Sequence, residues 1–414
     1  MNKPRSSPAL DDYAPLVGTG TIEELRFFAE HLKGKRLVMV NSTRVGGGVA
    51  EMLARLVPLM NELGIECRWE VIHGNPDFFR VTKAWHNAIH GAPVRLSATD
   101  VDIYMQTNRK NAETINLDAD VVAIHDPQPA ALIDLKKNGD ARKWVWRCHI
   151  DASHPAPGVW DFLSSYVERY DASIFSLPAF AKQLPIPQYL FFPSIDPLTE
   201  KNRILTEEEV EAVLERLGIP RDKPYILQVS RYDRLKDPIG VYRAYKIAKE
   251  TNDIRLVLAG GSATDDPEGA EVLREVREAV GNDPDCHVLE LPPDANHEIN
   301  ALQRGATIVL QKSIREGFGL TVTEALWKGK AVVAGAVGGI PAQVLHGVTG
   351  LLCHTPEGCA YQIRYLLANP KERERLGKLG MEWVRSEFLV TQNLRRWLLL
   401  LHALEYPTER LITR

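Results

Sequence analysis

The segment Arg36-Leu-Val-Met-Val-Asn41 decides our prediction of the fold. It is a short apolar run with alternate valines, which is typical of a buried strand. Gly46-Gly47-Gly48 follows it, and a helical pattern then runs from about Val49 to Leu63. A strand that leads through a glycine turn into a helix is the repeating element of a parallel α/β sheet.

The same alternation continues on both sides of this segment. Apolar runs predict four more strands in the first half of the chain and five in the second, with helical patterns between them. Parallel sheets covered by helices on both faces are therefore expected. The further strands are predicted at 66–72, 120–125, 144–150, 172–176, 225–230, 254–259, 287–291, 308–311 and 331–334, and helices at about 206–217, 268–280 and 298–305.

The region from about Phe192 to Leu205 contains Pro193, Pro197 and a polar stretch. We place the change of domain there, because such composition is typical of a linker. The prediction is two doubly wound domains in tandem, residues 1–195 and residues 196–389. Residues 390–414 follow as a predicted C-terminal helix.

Composition excludes several classes of protein. The 414 residues include 50 basic and 54 acidic side chains, so the net charge of −4 gives no basic face for nucleic acid. Five cysteines without a CxxC pair argue against a disulfide framework and against a structural zinc site. We find no signal-peptide pattern and no apolar run of about 18 residues, which would suffice to span a membrane. We therefore expect a soluble cytoplasmic protein with no nucleic-acid or membrane partner.

Gly46, Gly47 and Gly48 stand at the predicted start of a helix. Free backbone N–H groups and the helix dipole favour an anion there, although a plain strand-to-helix turn explains the glycines equally well. No Gly-Lys-Ser/Thr follows, so this is not a Walker loop. Glu51 occupies the place of the third glycine of a dinucleotide fingerprint, which argues against nicotinamide binding.

Two cations follow the predicted strand 225–230, namely Arg231 and Lys236. Ligands of doubly wound sheets bind at the carboxyl ends of strands. Two positive charges there would clamp a diphosphate and stabilise the charge of a leaving group. The alternative is that Lys236 pairs with Asp233 or Asp237 on a solvated loop.

Glu316 and Glu324 flank the start of a helix predicted to begin near Leu320. We predict that Glu316 accepts hydrogen bonds from sugar hydroxyls and that Glu324 binds a ribose diol, as acidic residues do in dinucleotide folds. The alternative makes Glu316 a cap-like acid and Glu324 a solvated helix residue. The loop and helix start add unpaired N–H groups to this donor-binding set, contributed by Gly317, Phe318, Gly319 and Leu320.

The segment Arg315-Glu-Gly-Phe-Gly-Leu-Thr-Val-Thr-Glu-Ala325 resembles the E-x7-E signature of the family-4 retaining glycosyltransferases. That resemblance implies the GT-B fold, in which two doubly wound Rossmann-like domains face each other across a cleft. Arg231 with Lys236 is similar to the diphosphate-binding pair of the family. Gly46 to Gly48 resembles its glycine loop, and Gly338-Gly339-Ile340-Pro341 resembles a further recurrent stretch.

A histidine of the first half also fits this family. His125, before Asp126-Pro127, resembles the catalytic-region histidine that contacts the donor sugar. The alternative is a satisfied polar group at the end of a strand. The resemblance further implies that residues 1–195 bind the acceptor, that residues 196–389 bind the nucleotide sugar, and that the helix at 390–414 packs back on the first domain.

A narrower resemblance concerns the sugar product. The segments 73–79 and 146–151, and Gln311-Lys-Ser with Arg315, are similar to a subgroup of trehalose synthases and trehalose phosphorylases. This implies reversible formation of trehalose from ADP-, UDP- or GDP-glucose and free glucose. The alternatives are a retaining phosphorylase that uses glucose 1-phosphate, and a family-4 enzyme with another acceptor. A homodimer is left open.

The implied mechanism assigns Arg231 and Lys236 to the departing diphosphate and Glu316 to the donor hydroxyls, with His125 as the fourth catalytic residue. The acceptor attacks the oxocarbenium-like sugar from the face that the diphosphate leaves, and Glu316 is not a nucleophile. None of these site residues lies in an Asp-x-Asp metal motif, so we expect no metal site and no required cofactor, with Mg²⁺ at most stimulating.

Arg147, His149 and Asp151 alternate along the strand predicted at 144–150 and its end. A period of two places them on one face, which we assign to the acceptor glucose. The alternatives are a satisfied buried His149 and an Arg147–Asp151 ion pair. Two other classes of function also remain: a nucleotide-sugar epimerase and a catalytically silent sugar-binding protein.

Overall fold

The computed structural model describes residues 8–44, 48–261 and 267–406. Their contacts divide them into two units. Unit 1 comprises the described residues up to Pro193 together with those from Val390 onward, and unit 2 comprises Ser194–Leu389. The division after Pro193 lies two residues before the expected boundary.

Unit 1 contains a parallel sheet of six strands in the order β2-β1-β3-β4-β5-β6. The chain starts at the second position, adds β2 at one edge, and then continues from β3 to β6 in the other direction, as in a doubly wound fold of the flavodoxin-like order. Its strands are β1 Arg36–Asn41, β2 Glu66–Val71, β3 Val121–His125, β4 Lys143–Arg147, β5 Ala172–Phe175 and β6 Gln188–Leu190, and its helices before unit 2 are α1 Ala14–Val17, α2 Thr19–Glu30, α3 Gly48–Glu62, α4 Pro76–Ile89, α5 Ala98–Thr114 and α6 Pro157–Val167.

Unit 2 repeats the architecture with the strand order β12-β11-β10-β7-β8-β9, again all parallel. Its strands are β7 Tyr225–Val229, β8 Arg255–Gly260, β9 Cys286–Glu290, β10 Ile308–Gln311, β11 Val332–Gly335 and β12 Leu351–Cys353, and its helices are α7 Glu207–Arg216, α8 Pro238–Lys249, α9 Pro267–Val280, α10 Asn296–Gly305, α11 Leu320–Trp327, α12 Ile340–Gln343, α13 Pro356–Ala368 and α14 Pro370–Glu387. The prediction of α/β architecture with two doubly wound sheets is therefore confirmed.

The helix α15, Val390–Glu405, returns to unit 1 and packs against α2 and α3. Trp397 is fully buried, and its ring centroid lies 5.6 Å from that of Phe191 and 6.2 Å from that of His125. The indole is therefore part of the buried interior next to His125, at the carboxyl end of β3. Within the described part of the chain, no helix combines the length and the apolarity needed to cross a bilayer.

One strand is shorter than predicted. The apolar run 144–150 indicates a strand throughout, but β4 ends at Arg147. The backbone N–H of His149 donates to Asp126 Oδ1 at 2.8 Å instead of to a neighbouring strand. A side chain has therefore replaced the sheet as hydrogen-bond partner, which the apolar pattern does not reveal.

Candidate functional site

In unit 2, Lys236 and Glu316 form an ion pair at the carboxyl ends of β7 and β10. The ammonium nitrogen lies 2.7 Å from each carboxylate oxygen of Glu316. The alternative pairing of Lys236 is wrong, because Asp233 accepts from the N–H of Leu235 and Asp237 pairs with Lys312. Both groups are largely withdrawn from solvent, with side-chain exposures of 18% for Lys236 and 9% for Glu316.

Backbone contacts join the two loops that carry this pair. The carbonyl of Leu235 accepts from the N–H of Ile314 at 2.9 Å. Gln228, a buried residue near the carboxyl end of β7, donates to the carbonyl of Lys236 at 2.9 Å and accepts from the N–H of Lys312 at 3.0 Å. One buried amide thus holds both loops in register.

Glycines allow the Glu316 loop to pack closely. Gly319 has φ +82° and lies at the N-terminus of α11, where L side chains are strained. Gly338 has φ +54°, and a Cβ there would lie 1.8 Å from the carbonyl oxygen of Glu316. Gly339 donates its N–H to Gly317 at 2.7 Å. The predicted donor-binding segment from Gly317 to Leu320 is therefore fixed by backbone packing, with Phe318 buried beneath it.

Glu324 lies inside α11 and is buried, so the alternative of a solvated helix residue is wrong. Its Oε1 lies 2.9 Å from the ammonium of Lys201, while its Oε2 has no hydrogen-bond partner among the described residues. Burial lowers the pKa of the neighbouring Lys328 to about 7, and this lysine donates to Gln303 and to the backbone carbonyl of Glu324. Sequence reasoning missed Lys201, which lies in the segment interpreted as a linker.

Arg231 follows β7 at the same edge of the sheet. Its side chain is 61% exposed, and its guanidinium lies 3.2 Å from Asp233. The second predicted phosphate-binding cation therefore stands near the Lys236 loop with a solvent-facing head group.

In unit 1, the structure brings His125 and His149 together. Nδ1 of His125 lies 2.9 Å from Nε2 of His149, and the rings stack with centroids 5.2 Å apart. His125 is fully buried and His149 half-buried. Burial, with a smaller contribution from the Arg147 charge, lowers the pKa of His125 to about 3 and that of His149 well below its usual value. Both imidazoles are therefore neutral near pH 7, and one N–H bridges them.

Asp126 was quoted in the sequence only as a neighbour of His125, yet it organises this cluster. It adopts φ +66°, which is uncommon for a residue other than glycine and is often found at functional sites. Its backbone N–H donates to the carbonyl of Arg147 at 2.8 Å, and its side chain holds His149. Burial raises the pKa of its carboxyl to about 7.

The predicted acceptor residues do not share one strand face, since β4 ends at Arg147. The guanidinium of Arg147 is buried 5.5 Å from the ring centroid of Phe191 and 5.9 Å from that of Trp397. Its Nη atoms have no hydrogen-bond partner among the described residues, so the alternative ion pair with Asp151 is wrong. Asp151 instead accepts from the N–H of Ser153 at 2.9 Å.

The glycine loop is only partly covered. Gly46 and Gly47 lie outside the described residues, and Gly48 is the first residue of α3. Arg44, which precedes them, contacts β2. Its guanidinium lies 4.5 Å from the ring centroid of Trp69 and donates to the backbone carbonyl of Trp69 at 2.7 Å. Across the described ranges, no group of three or more His, Cys, Asp or Glu side chains is arranged to hold a metal ion.

Both units are similar in sequence to known glycosyltransferases. A family model for the N-terminal domain of trehalose synthase matches residues 39–182, and a model for group 1 glycosyl transferases matches residues 209–383. The chain is 43% identical to the trehalose synthase of Pyrococcus horikoshii, covering 95% of this chain and 96% of that one. It is 31% identical to a trehalose phosphorylase of Pleurotus pulmonarius, covering 83% of this chain but only 54% of that protein.

Solved structures agree on the fold. The α,α-trehalose-phosphate synthase of Burkholderia xenovorans superposes with a TM-score of 0.69 at 15% identity, covering 90% of this chain and all of that one. Together with the two parallel six-stranded sheets, this likeness establishes the GT-B fold.

Proposed function

The chain belongs to the trehalose synthase family of glycosyltransferases, and from this premise we propose that it forms trehalose reversibly from a nucleoside diphosphate glucose and free glucose, with retention of configuration. One observation carries the donor side of the proposal. Lys236 and Glu316 lie paired at the carboxyl ends of β7 and β10, where doubly wound sheets bind their ligands.

The pair supports a donor with a charged leaving group. A diphosphate competes with Glu316 for the ammonium of Lys236, and the exposed guanidinium of Arg231 adds a second positive charge at the same edge. Glu316 is then released to accept hydrogen bonds from the glucose hydroxyls. Preorganised cations stabilise the charge that develops on the departing diphosphate.

A nucleoside on the donor is supported by Glu324. One oxygen of this buried carboxylate has no hydrogen-bond partner in the part of the chain that the structure describes, while Lys201 holds the other. A ribose diol supplies two hydroxyl donors that match such a group. Glucose 1-phosphate, the donor of the rival phosphorylase reaction, has no ribose and would not supply a diol to the second oxygen of Glu324.

The chemical step follows from these assignments. The bond between the anomeric carbon and the diphosphate oxygen breaks, and an oxygen of the departing diphosphate takes the proton of the acceptor hydroxyl. That hydroxyl attacks the anomeric carbon from the same face, so configuration is retained. Glu316 carries no covalent intermediate.

We assign the acceptor to unit 1. His149, Asp126 and Asp151 are half-buried polar residues that follow β3 and β4, and they suit the hydroxyls of an uncharged sugar. The family resemblance assigned donor contact to His125, but its ring is fully buried behind His149. We therefore propose that His149 meets the sugar and that His125 supports it.

Product analysis tests the proposal. The protein is incubated with glucose and either ADP-, UDP- or GDP-glucose, or glucose 1-phosphate, and the disaccharide is identified by its anomeric NMR signals. Trehalose with an α,α linkage from a sugar nucleotide, and none from glucose 1-phosphate, is the expected result. Trehalose from glucose 1-phosphate with release of phosphate would overturn the synthase assignment in favour of a phosphorylase.

A further inference from the structure

We propose that Ser313 and Gln311 are positioning residues that keep the Glu316 carboxylate oriented towards the donor sugar after Lys236 has turned to the diphosphate. The inference rests on the proposed function, since it assumes that Glu316 binds donor hydroxyls. It also gives a physical role to Gln311-Lys312-Ser313, the segment that distinguished the trehalose subgroup in the sequence.

A chain of side-chain hydrogen bonds ends on Glu316. The hydroxyl of Thr321 donates to Gln311 Oε1 at 3.0 Å, and Gln311 Nε2 donates to Ser313 Oγ at 3.0 Å. The hydroxyl of Ser313 in turn donates to Glu316 Oε2 at 3.2 Å. Each group donates in the same direction towards a negative charge, so each bond polarises the next.

The chain spans the loop that carries Glu316. Gln311 is the last residue of β10, and Thr321 lies in the first turn of α11. Gln311 and Ser313 are 2% and 3% exposed, so water competes little for these bonds. The hydrogen bonds thereby connect both ends of the loop to one carboxylate oxygen of Glu316.

Among the described residues, two groups hold the Glu316 carboxylate, the ammonium of Lys236 and the hydroxyl of Ser313. A phosphate oxygen that takes the ammonium leaves Ser313 as the remaining anchor. A carboxylate without that anchor could rotate away from the sugar, and the orienting effect on the donor would be lost. Ser313 therefore acts at the moment when the ion pair opens.

The test measures how strongly the enzyme distinguishes glucose from monodeoxyglucose donors that carry the same nucleoside diphosphate. The quantity is the ratio of kcat/KM for the glucose donor to kcat/KM for each deoxy donor. For at least one hydroxyl, we expect Ser313→Ala to lower this ratio roughly 10-fold or more, as expected for a weakened hydrogen bond to a charged group. Ser313→Thr keeps the hydroxyl and should retain most of the ratio.

Two further variants keep the test decisive if Ser313→Ala folds poorly. Thr321→Val removes the first hydroxyl of the chain with little change of shape, and we expect a smaller loss of discrimination in the same direction. Ser386→Ala is the matched control, because that exposed hydroxyl donates to the carbonyl of Trp383 in the same unit. A merely structural Ser313 would instead lower kcat/KM for all donors by the same factor.

The Glu316→Gln variant separates the two levels of inference. If it keeps the wild-type discrimination against deoxy donors, the proposed role of Glu316 itself is wrong. If Glu316→Gln abolishes discrimination while Ser313→Ala and Thr321→Val preserve it, the positioning role is overturned and the proposed function stands.

Discussion

The ammonium of Lys236 is shared evenly by the two carboxylate oxygens of Glu316, at 2.7 Å from each. Without donor, the opposite charges of these two residues therefore neutralise one another. Under the proposed function, the donor diphosphate replaces Glu316 as the partner of Lys236 before Glu316 binds the sugar.

Lys236→Met should lower kcat/KM by roughly 100- to 1000-fold, because the departing diphosphate loses a preorganised cation. It should also destabilise the protein by about 3–5 kcal/mol, since Glu316 is left buried and unpaired. Steady-state kinetics and chemical denaturation measure the two effects. The double variant with Glu316→Gln should regain stability without regaining activity, and near-normal turnover of Lys236→Met would contradict the assignment.

Gly338→Ala should displace the Glu316 loop, because the new Cβ would lie 1.8 Å from the carbonyl oxygen of Glu316. Gly347→Ala is the matched control, as its φ of +77° is equally unfavourable but nothing lies within 4 Å of a Cβ there. The control should cost about 1–2 kcal/mol from backbone strain alone. Gly338→Ala should cost more and raise the donor KM, and equal effects in the two variants would argue against close packing on Glu316.

His125 should make stability fall in acid. Its pKa is lowered from 6.5 to about 3, so the unfolded chain binds this proton at a higher pH than the folded chain does. The contribution of the neutral imidazole to stability is therefore fully present above pH 6.5 and is lost as pH falls towards 3. His125→Asn should remove up to about 1.4 kcal/mol per pH unit of that slope. Denaturant unfolding between pH 4 and 7, a range that includes the pKa of an unfolded imidazole, measures this slope.

Asp126→Asn should change the pH dependence of stability in the opposite direction to His125→Asn. The pKa of Asp126 is raised from 3.8 to about 7, so its protonation stabilises the fold below pH 3.8 and this contribution is lost as pH rises through about 7. In the Asp126→Asn variant, the free energy of unfolding should therefore fall more steeply with decreasing pH than in the wild type. Parallel changes in the two variants would mean that these groups do not titrate separately.

Trp397→Ala should destabilise unit 1 by about 3–5 kcal/mol through loss of a buried aromatic side chain. The loss should extend to the His125 ring, which packs against the indole. Phe27→Ala removes an aromatic ring of the same unit that is 65% exposed, and its effect should stay within about 0.5 kcal/mol. Thermal melting of the three proteins decides whether the C-terminal helix belongs to the core.

Activity should survive treatment with EDTA. In the proposed mechanism, Lys236 and Arg231 provide the positive charge that a metal ion would otherwise bring to the diphosphate, and no metal ion is required. Initial rates before and after chelation, with added Mg²⁺ as the control, measure this. Activity that vanished in EDTA and returned with Mg²⁺ would contradict the metal-free assignment.

Apolar runs identified the sheets well because buried parallel strands are apolar on both faces. The strand at 308–311 was predicted to the residue. Strand ends were harder to predict, since they depend on which group takes the last backbone N–H. The 144–150 run shows this, because Asp126 takes the N–H of His149 and β4 stops at Arg147.

The site was predictable as a set of residue types but not as a set of contacts. Lys236 and Glu316 were chosen separately, and the pairing of β7 with β10 brings them together across 80 positions of sequence. Gln228 carried a usable signal, as the one polar residue within an apolar strand. Lys201 carried none, because only the fold places the supposed linker beside α11.

The return of α15 to unit 1 has a consequence for how the chain is made. A ribosome completes β1 to β6 long before it completes α15, and the whole of unit 2 is synthesised in between. Until Trp397 emerges, the nascent first unit lacks the indole that packs against Phe191, and apolar surface remains open. The second unit is continuous in sequence and can fold first, so the order of folding during translation should be the reverse of the order of synthesis.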